Sequence, residues 1–201
     1  MMPRVVASDD PRIRLLIEEA LETGQTVIFP TDTIYGIGGN PWDERTLSRV
    51  RTLKQRAEGQ PFTLHLPTVE SISRYAQIPN ERIRTMVHRL LPGPYTLLLE
   101  ATPDAPPSAV QDGSIGIRVP GHPLFRDIMK ELDRPLFGTS VNVHGQPPLS
   151  DINQIIDRFN TVDLVIIGET GTRASAIIDL TAVPPILVRG EASKDLLELP
   201  R

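Results

Sequence analysis

Apolar positions recur along this chain with two spacings, one helical and one extended. Ile13, Leu16, Ile17, Ala20 and Leu21 fall three and four residues apart and predict a helix. Asp10-Pro11 supplies a cap and a first-turn proline for it, and Gly24 a stop. Thr26 to Phe29 is a short, unbroken apolar run that reads as a buried strand ending at Pro30. A glycine-rich loop is expected over Ile34 to Asn40, followed by a helix capped by Asp43 and running through Leu53. Phe62 to Leu66 reads as a strand, and Thr68 with Ser71 and Asn80 with Ile83 mark two more helix starts. Strands are predicted over Tyr95 to Leu99 and Gly116 to Val119, separated by a polar, proline-rich stretch from Thr102 to Gly113 that reads as a mobile surface loop. A helix over His122 to Leu132, a strand over Pro135 to Ser140 and a helix over Ser150 to Phe159 come next. Val162 to Ile167, Ala176 to Leu180 and Ile186 to Val188 finish as strands. Helices alternate with strands early and strands dominate late, which predicts an α/β domain with a twisted, mixed parallel and antiparallel sheet flanked by helices.

Composition narrows the function classes. The 201 residues suit one domain spanning 1–201, and 39% hydrophobic content is enough for a sizeable core. The absence of cysteine excludes disulfides and thiolate zinc sites, and four scattered histidines offer no metal cluster, so no protein-bound metal is expected. A formal charge of -4 argues against a broad basic footprint for nucleic acid. No apolar run reaches the roughly 18 residues of a membrane span, and the start of the chain lacks a signal-type stretch. A soluble cytoplasmic protein is therefore expected, with the 20 prolines acting as turn punctuation.

Five segments carry groups suited to chemistry. Pro30-Thr31-Asp32-Thr33-Ile34-Tyr35-Gly36 places small polar side chains where a buried strand exits, the place where open α/β sheets bind ligands. It contains neither a P-loop nor a Gly-x-Gly-x-x-Gly pattern. Lys54-Gln55-Arg56 ends a helix, where cations complement the dipole or clamp a phosphate. At such a helix end both side chains are expected to be exposed enough for truncation to leave the fold intact. Gly138-Thr139-Ser140-Val141-Asn142 follows another buried strand. Arg118, between Ile117 and Val119, faces away from their side of the sheet, as a solvated edge residue or a carboxylate anchor, and His65 in its apolar strand has the same ambiguity. Arg173 to Leu180 and Ile186 to Gly190 complete the set.

The order and wording of these segments resemble the Sua5/YrdC/YciO family over nearly the whole chain. The carrying motifs are Pro-Thr-Asp-Thr-x-Tyr-Gly at 30–36, Leu-Pro-Gly-Pro-Tyr-Thr at 91–96, Gly-Ile-Arg-Val-Pro at 116–120 and Val-Arg-Gly at 188–190. The resemblance implies a YrdC-like fold with a concave, positively lined cleft and no separate C-terminal Sua5 domain. It implies a nucleotidyltransferase that forms L-threonylcarbamoyladenylate and pyrophosphate from L-threonine, bicarbonate and ATP. The adenylate would feed a downstream transferase complex that makes the t6A modification of tRNAs reading ANN codons. By the same resemblance, Lys54, Arg56, Ser140 and Asn142 would surround the phosphates, and Ser114 and Arg189 would contact the nucleotide. Thr33, Tyr35, His65, Arg118 and Ser175 would hold threonine, with Arg118 on its carboxylate. Magnesium would accompany ATP.

Some wording departs from the synthase branch. Ala57 stands where proline is usual, Phe62-Thr63-Leu64 has the YciO wording, His144-Gly145 replaces Ser-Gly, Ala176 replaces threonine, and Arg189 lacks a following proline. The alternative is therefore a YciO-like protein that binds nucleotide or double-stranded RNA with little or no synthesis. A local patch of Arg49, Arg51, Lys54 and Arg56 would give it weak tRNA or RNA binding. A carbamoyl-phosphate-using transferase is a third reading. No reading involves a membrane.

Overall fold

The computed structural model describes residues 2–193. In chain order the elements are β1 (Arg4–Ala7), α1 (Ile13–Glu22), β2 (Val27–Phe29), β3 (Gly36–Gly39), α2 (Glu44–Lys54), β4 (Thr63–His65), α3 (Ile72–Tyr75), α4 (Glu81–Leu90), β5 (Tyr95–Glu100), β6 (Val110–Gln111) and β7 (Ser114–Arg118). A π-helical segment, Leu124–Met129, then runs into α5 (Lys130–Leu132), followed by β8 (Leu136–Ser140), α6 (Ile152–Arg158), β9 (Leu164–Ile167), β10 (Ala176–Asp179) and β11 (Ile186–Arg189).

The strands form one sheet in the order β1-β9-β2-β3-β8-β4-β7-β5-β10-β11, with β6 added to β7. Pairing is parallel for β1 with β9, β9 with β2, β4 with β7 and β5 with β10, and antiparallel elsewhere. The mixed, helix-flanked sheet expected from the sequence is the one found.

Two of the helix caps that the sequence marks are made by side chains. Asp43 and Asn80 each accept the backbone N–H three residues on, and α2 carries Arg51 and Lys54 in its last turn. Asp10 does not cap α1. The helix begins at Ile13, and the Asp10 carboxylate instead accepts the Arg12 N–H at 2.8 Å in a turn before it.

The apolar side chains fall into three clusters that divide the two faces of the sheet. Val27 and Phe29 of β2 and Leu164 and Ile166 of β9 pack under α1 and the π-helical segment. The alternate residues Ile28 and Val165 point the other way, into the cluster holding Leu47 and Val50 of α2 and Ile155 of α6. On that second face, Leu64, Leu97, Leu99, Ile115 and Ile117 pack with Ile72 of α3 and with Ile83, Met86 and Val87 of α4. The first face, past α1, is where β3, β8, β4, β7, β5 and β10 present a different set of side chains.

Two further expectations are corrected and one element is added. The glycine-rich stretch after Ile34 contains a strand, β3, between β2 and β8. A Cβ on Gly38 would lie 1.7 Å from the Phe137 carbonyl oxygen, so glycine here marks a close approach of two strands rather than a loop. The segment from Thr102 to Gly113 is pinned rather than mobile. Ala105 and Ala109 are buried, Phe62 N–H donates to the Ser108 carbonyl at 2.9 Å, Ser108 Oγ donates to the Pro41 carbonyl at 2.9 Å, and Val110–Gln111 form β6. Finally, the four residues of β1 were not anticipated. Their order in the sheet comes from pairing with β9, far along the chain. Among the described residues no helix is long and apolar enough to cross a membrane.

Candidate functional site

A cleft of ≈ 800 Å³ opens on the first face of the sheet, a volume suited to a small-molecule ligand. Its floor follows from strand alternation. Thr63 and His65 of β4, Ser114, Gly116 and Arg118 of β7, Thr96 and Leu98 of β5, Gly138 and Ser140 of β8 and Ile177 of β10 all line it. The interleaved Leu64, Ile115, Ile117, Leu97, Phe137 and Ile178 are buried beneath. Apart from Leu98 and Ile177 these floor residues are small or polar, and the opposite face of the same strands is the core. Among the described residues three guanidinium-bearing side chains line the cleft, Arg56, Arg118 and Arg189, against one carboxylate, Asp112. Such a surface favours anionic ligands.

Arg118 is not a solvated edge residue: it is 4% exposed. Nη1 donates to Thr33 Oγ1 at 2.5 Å, and Nη2 forms an ion pair with Asp32. Thr33 also meets Thr31 Oγ1 at 2.9 Å. Burial draws the guanidinium's pKa down, and the Asp32 charge opposes that pull, so it remains a cation. Its Nε is buried with no partner among the described residues. His65 sits beside Arg118, edge-on to Phe29 with ring centroids 5.6 Å apart, and its Nδ1 lies 3.3 Å from the Thr63 carbonyl. Burial first, and the Arg118 charge second, pull His65 down to about 3, so its imidazole is neutral at physiological pH. Gly138 leaves room for that ring, since a Cβ there would lie 2.7 Å from His65 Cε1.

Tyr35 closes this end. Its hydroxyl donates to the Gly168 carbonyl at 2.7 Å and accepts the Gly168 N–H at 3.2 Å, tying the segment after β9 to the segment before β3. Ser175 Oγ and Thr96 Oγ1 are 2.8 Å apart, and Arg189 Nη2 donates to the Ser175 carbonyl at 3.2 Å.

A second polar group is built around Arg56, Ser140 and Asn142. Ser140 Oγ donates to Asn142 Oδ1 at 2.5 Å, and Asn142 Nδ2 donates to the carbonyls of Val143 and Gln146. Arg56 Nη1 donates to Thr139 Oγ1 at 3.1 Å and Nη2 to the Pro61 carbonyl at 2.6 Å. Lys54 departs from expectation. It is 2% exposed and is absent from the cleft wall; its ammonium donates to the Ser140 carbonyl and, at 2.9 Å each, to the Asn142 carbonyl and Oδ1. It therefore braces Ser140 and Asn142 from behind. Burial, and then the Arg56 charge, lower its pKa to about 7. The expectation that Lys54 is exposed enough for truncation to leave the fold intact is corrected by this burial.

Ten of the eleven candidate residues thus line one cleft: Thr33, Tyr35, His65, Ser114, Arg118, Ser175 and Arg189 along with Arg56, Ser140 and Asn142. The expected basic surface patch does not form. Arg49 is held by Asp163 at 2.7 Å, and Lys54 is interior. Sequence reasoning passed over Asp32, Thr63 and Thr96 as partners. Thr63 was legible, because it lies two residues from His65 and so shares its face. Among the described residues no cluster of three or more histidine, aspartate or glutamate side chains could hold a metal.

The family described as telomere recombination, Sua5/YciO/YrdC, matches residues 19–190. The uncharacterized protein YciO of Escherichia coli (strain K12) is 32% identical over 188 residues, covering 90% of this chain and 91% of that one. The threonylcarbamoyl-AMP synthase of Pyrococcus abyssi is 31% identical over 174 residues, covering 84% of this chain and 51% of the synthase. Among solved structures, E. coli YciO superposes with a TM-score of 0.82 at 30% identity, covering 94% of this chain and 95% of the other. P. abyssi Sua5 complexed with L-threonine gives 0.81 at 26% identity, covering 94% of this chain and 57% of Sua5.

Proposed function

The chain belongs to the Sua5/YciO/YrdC family, and from that membership and the cleft's chemistry we propose that it is an L-threonylcarbamoyladenylate synthase. The threonine amine adds to bicarbonate with loss of water, giving a carbamate. A carbamate oxygen attacks the α-phosphorus of ATP, the bond between the α-phosphorus and its bridging oxygen breaks, and pyrophosphate leaves with the electron pair. The nucleophile is already an anion, so the step needs alignment and charge neutralisation more than a strong base. A neutral His65 fits that need, since it offers a hydrogen bond and no proton transfer.

The observation that carries the reading is that one cleft is lined both by Arg118, with Thr33 and His65 beside it, and by Arg56 with Ser140 and Asn142, two groups suited to anions. Arg118 takes the threonine carboxylate, with Thr33, Tyr35, His65 and Ser175 around the rest of the amino acid. Arg56, Ser140 and Asn142 meet the triphosphate, Lys54 holds the last two in place, and Ser114 and Arg189 meet the nucleoside. Magnesium enters as the counter-ion of ATP, since among the described residues the cleft lining supplies only the Asp112 carboxylate. The adenylate passes to a transferase that makes t6A in tRNA, and the reaction belongs to the cytoplasm, where ATP and tRNA are found.

The test is to incubate the protein with ATP, labelled bicarbonate and threonine and to follow threonylcarbamoyl-AMP and pyrophosphate. No product under conditions where a synthase control works would sink the proposal. A second reading is favoured by Phe62-Thr63-Leu64 and by the end-to-end match with YciO: a nucleotide- or double-stranded-RNA-binding protein without synthesis. Nucleotide binding without product would select it.

A further inference from the structure

Arg56 lines a second hollow as well as the cleft. This hollow, ≈ 660 Å³, lies against the outer side of α2 and is also lined by Arg51, Ser48, Thr52 and Gln55, with Glu44 and Glu58 as its carboxylates. Arg56 is the one residue common to the two linings. The guanidinium carbons of Arg51 and Arg56 each lie 5.0 Å from the centre of the Phe62 ring. Each has a buried Nε with no partner, and among the described residues neither forms an ion pair with a carboxylate. The Nη groups of Arg56 are occupied by Thr139 and Pro61, whereas among the described residues Arg51 has its ring contact alone.

Two guanidinium groups on one buried ring repel each other, and burial together with Arg51 lowers the pKa of Arg56. Stacking on the ring compensates part of this repulsion. What would compensate the rest is a compact anion with several oxygens, because guanidinium forks match phosphate oxygens in pairs. Ser48, Thr52 and Gln55 add neutral donors beside Arg51.

Resting on the proposed synthesis, we infer that Arg51 forms an outer anion station that receives inorganic pyrophosphate from Arg56 as the product leaves the cleft. Arg56 lines both the cleft and the hollow, so pyrophosphate can exchange one guanidinium for the next at this shared wall. ATP, whose nucleoside end stays in the cleft, has no need of Arg51.

The test is Arg51→Met, which keeps an unbranched stem over Phe62 and removes the fork. Inorganic pyrophosphate is titrated into the intact wild-type and variant proteins by calorimetry, and the same anion is used as a product inhibitor of synthesis. The dissociation and inhibition constants for pyrophosphate should rise roughly tenfold, as for loss of a charge-assisted contact, while the KM for ATP changes less than about twofold. Equal pyrophosphate affinity in the two proteins overturns the station, with or without a fall in thermal midpoint. So does a rise in the KM for ATP that matches the rise for pyrophosphate, because Arg51 would then serve the bound triphosphate. The calorimetric arm needs no turnover. A protein that binds pyrophosphate through Arg51 but makes no adenylate therefore removes the synthase reading and keeps the site.

Discussion

Arg118 and Asp32 form an ion pair beneath the cleft in which both side chains are largely withdrawn from solvent, 5% and 17% exposed. Asp32 does not line the cleft; Arg118 does. The carboxylate therefore acts on a ligand only through the guanidinium it aims, with Thr33 fixing the second nitrogen.

Removing that carboxylate should be felt first as instability. Asp32→Ala leaves a buried cation without its partner, a change that costs about 3 kcal/mol. Urea denaturation should show a lower midpoint with an unchanged slope. Asp32→Asn, which keeps a hydrogen-bond acceptor, should lose less. Equal stability of wild type and Asp32→Ala would mean that the pair is idle.

Lys54 supplies a pH signature. Its folded pKa is about 7 against an ordinary 10.5, so between those values the unfolded chain binds more protons than the folded one. The unfolding free energy should therefore rise as pH goes from 7 to 10, because the cost of burying the ammonium disappears. Lys54→Met should lack this rise. At pH 7 it should also be less stable by about 1–3 kcal/mol for each carbonyl left without a donor. Parallel pH profiles for the two proteins would place the titration elsewhere.

His65 gives the acid counterpart. Its folded pKa near 3 lies below the ordinary 6.5, so its contribution is present above 6.5 and is lost as pH falls toward 3. Thermal melts of wild type should decline over that range more steeply than those of His65→Gln, which does not titrate. A wild-type curve no steeper than the variant's would show that the imidazole is not held neutral by burial.

Much of the sheet could be read in the sequence because strand alternation and helix period are local properties. The α2 helix was legible from the Asp43 cap and the apolar spacing of Leu47 and Val50. Gathering the small polar clusters around one cleft needed the wording of whole segments, since each alone is an ordinary turn. What stayed hidden is nonlocal. The Arg118–Asp32 pair spans 86 residues. Lys54 follows Leu47 and Val50 at helical spacing, so its inward direction is local; what is not local is its pair of partners, Ser140 and Asn142, which lie 86 and 88 residues on. The glycines of β3 hid a strand because their need for closeness looks, in sequence, like a need for flexibility.

Amino-acid choice is the sharpest check on the proposed reaction. Arg118→Lys should raise the KM for threonine well beyond any change for ATP, because lysine cannot hold a carboxylate in two-pronged fashion. Serine should be used less well than threonine, by about 1 kcal/mol or more for the missing methyl. Valine should be worse still if polar groups of the pocket hold the hydroxyl, since they would be left unpaired. Competition assays on pyrophosphate release decide this. Valine performing like threonine would place the side-chain pocket elsewhere.

The alternation that makes one face of β7, β5, β4 and β8 core and the other cleft also limits how the protein can vary. An insertion or deletion of one residue inside β7, unless a bulge absorbs it, would reverse the facing of the residues on one side of the change, turning Arg118 or Ser114 toward the core and Ile117 or Ile115 toward the cleft. Such a frame change cannot be repaired by a second substitution nearby. Variation within these strands is therefore confined to swapping one side chain for another. Gains and losses of length fall more readily in a connection such as 144–148, whose residues are exposed and of which Gln146 and Pro148 border the cleft, than at Gly168, which the Tyr35 hydroxyl holds.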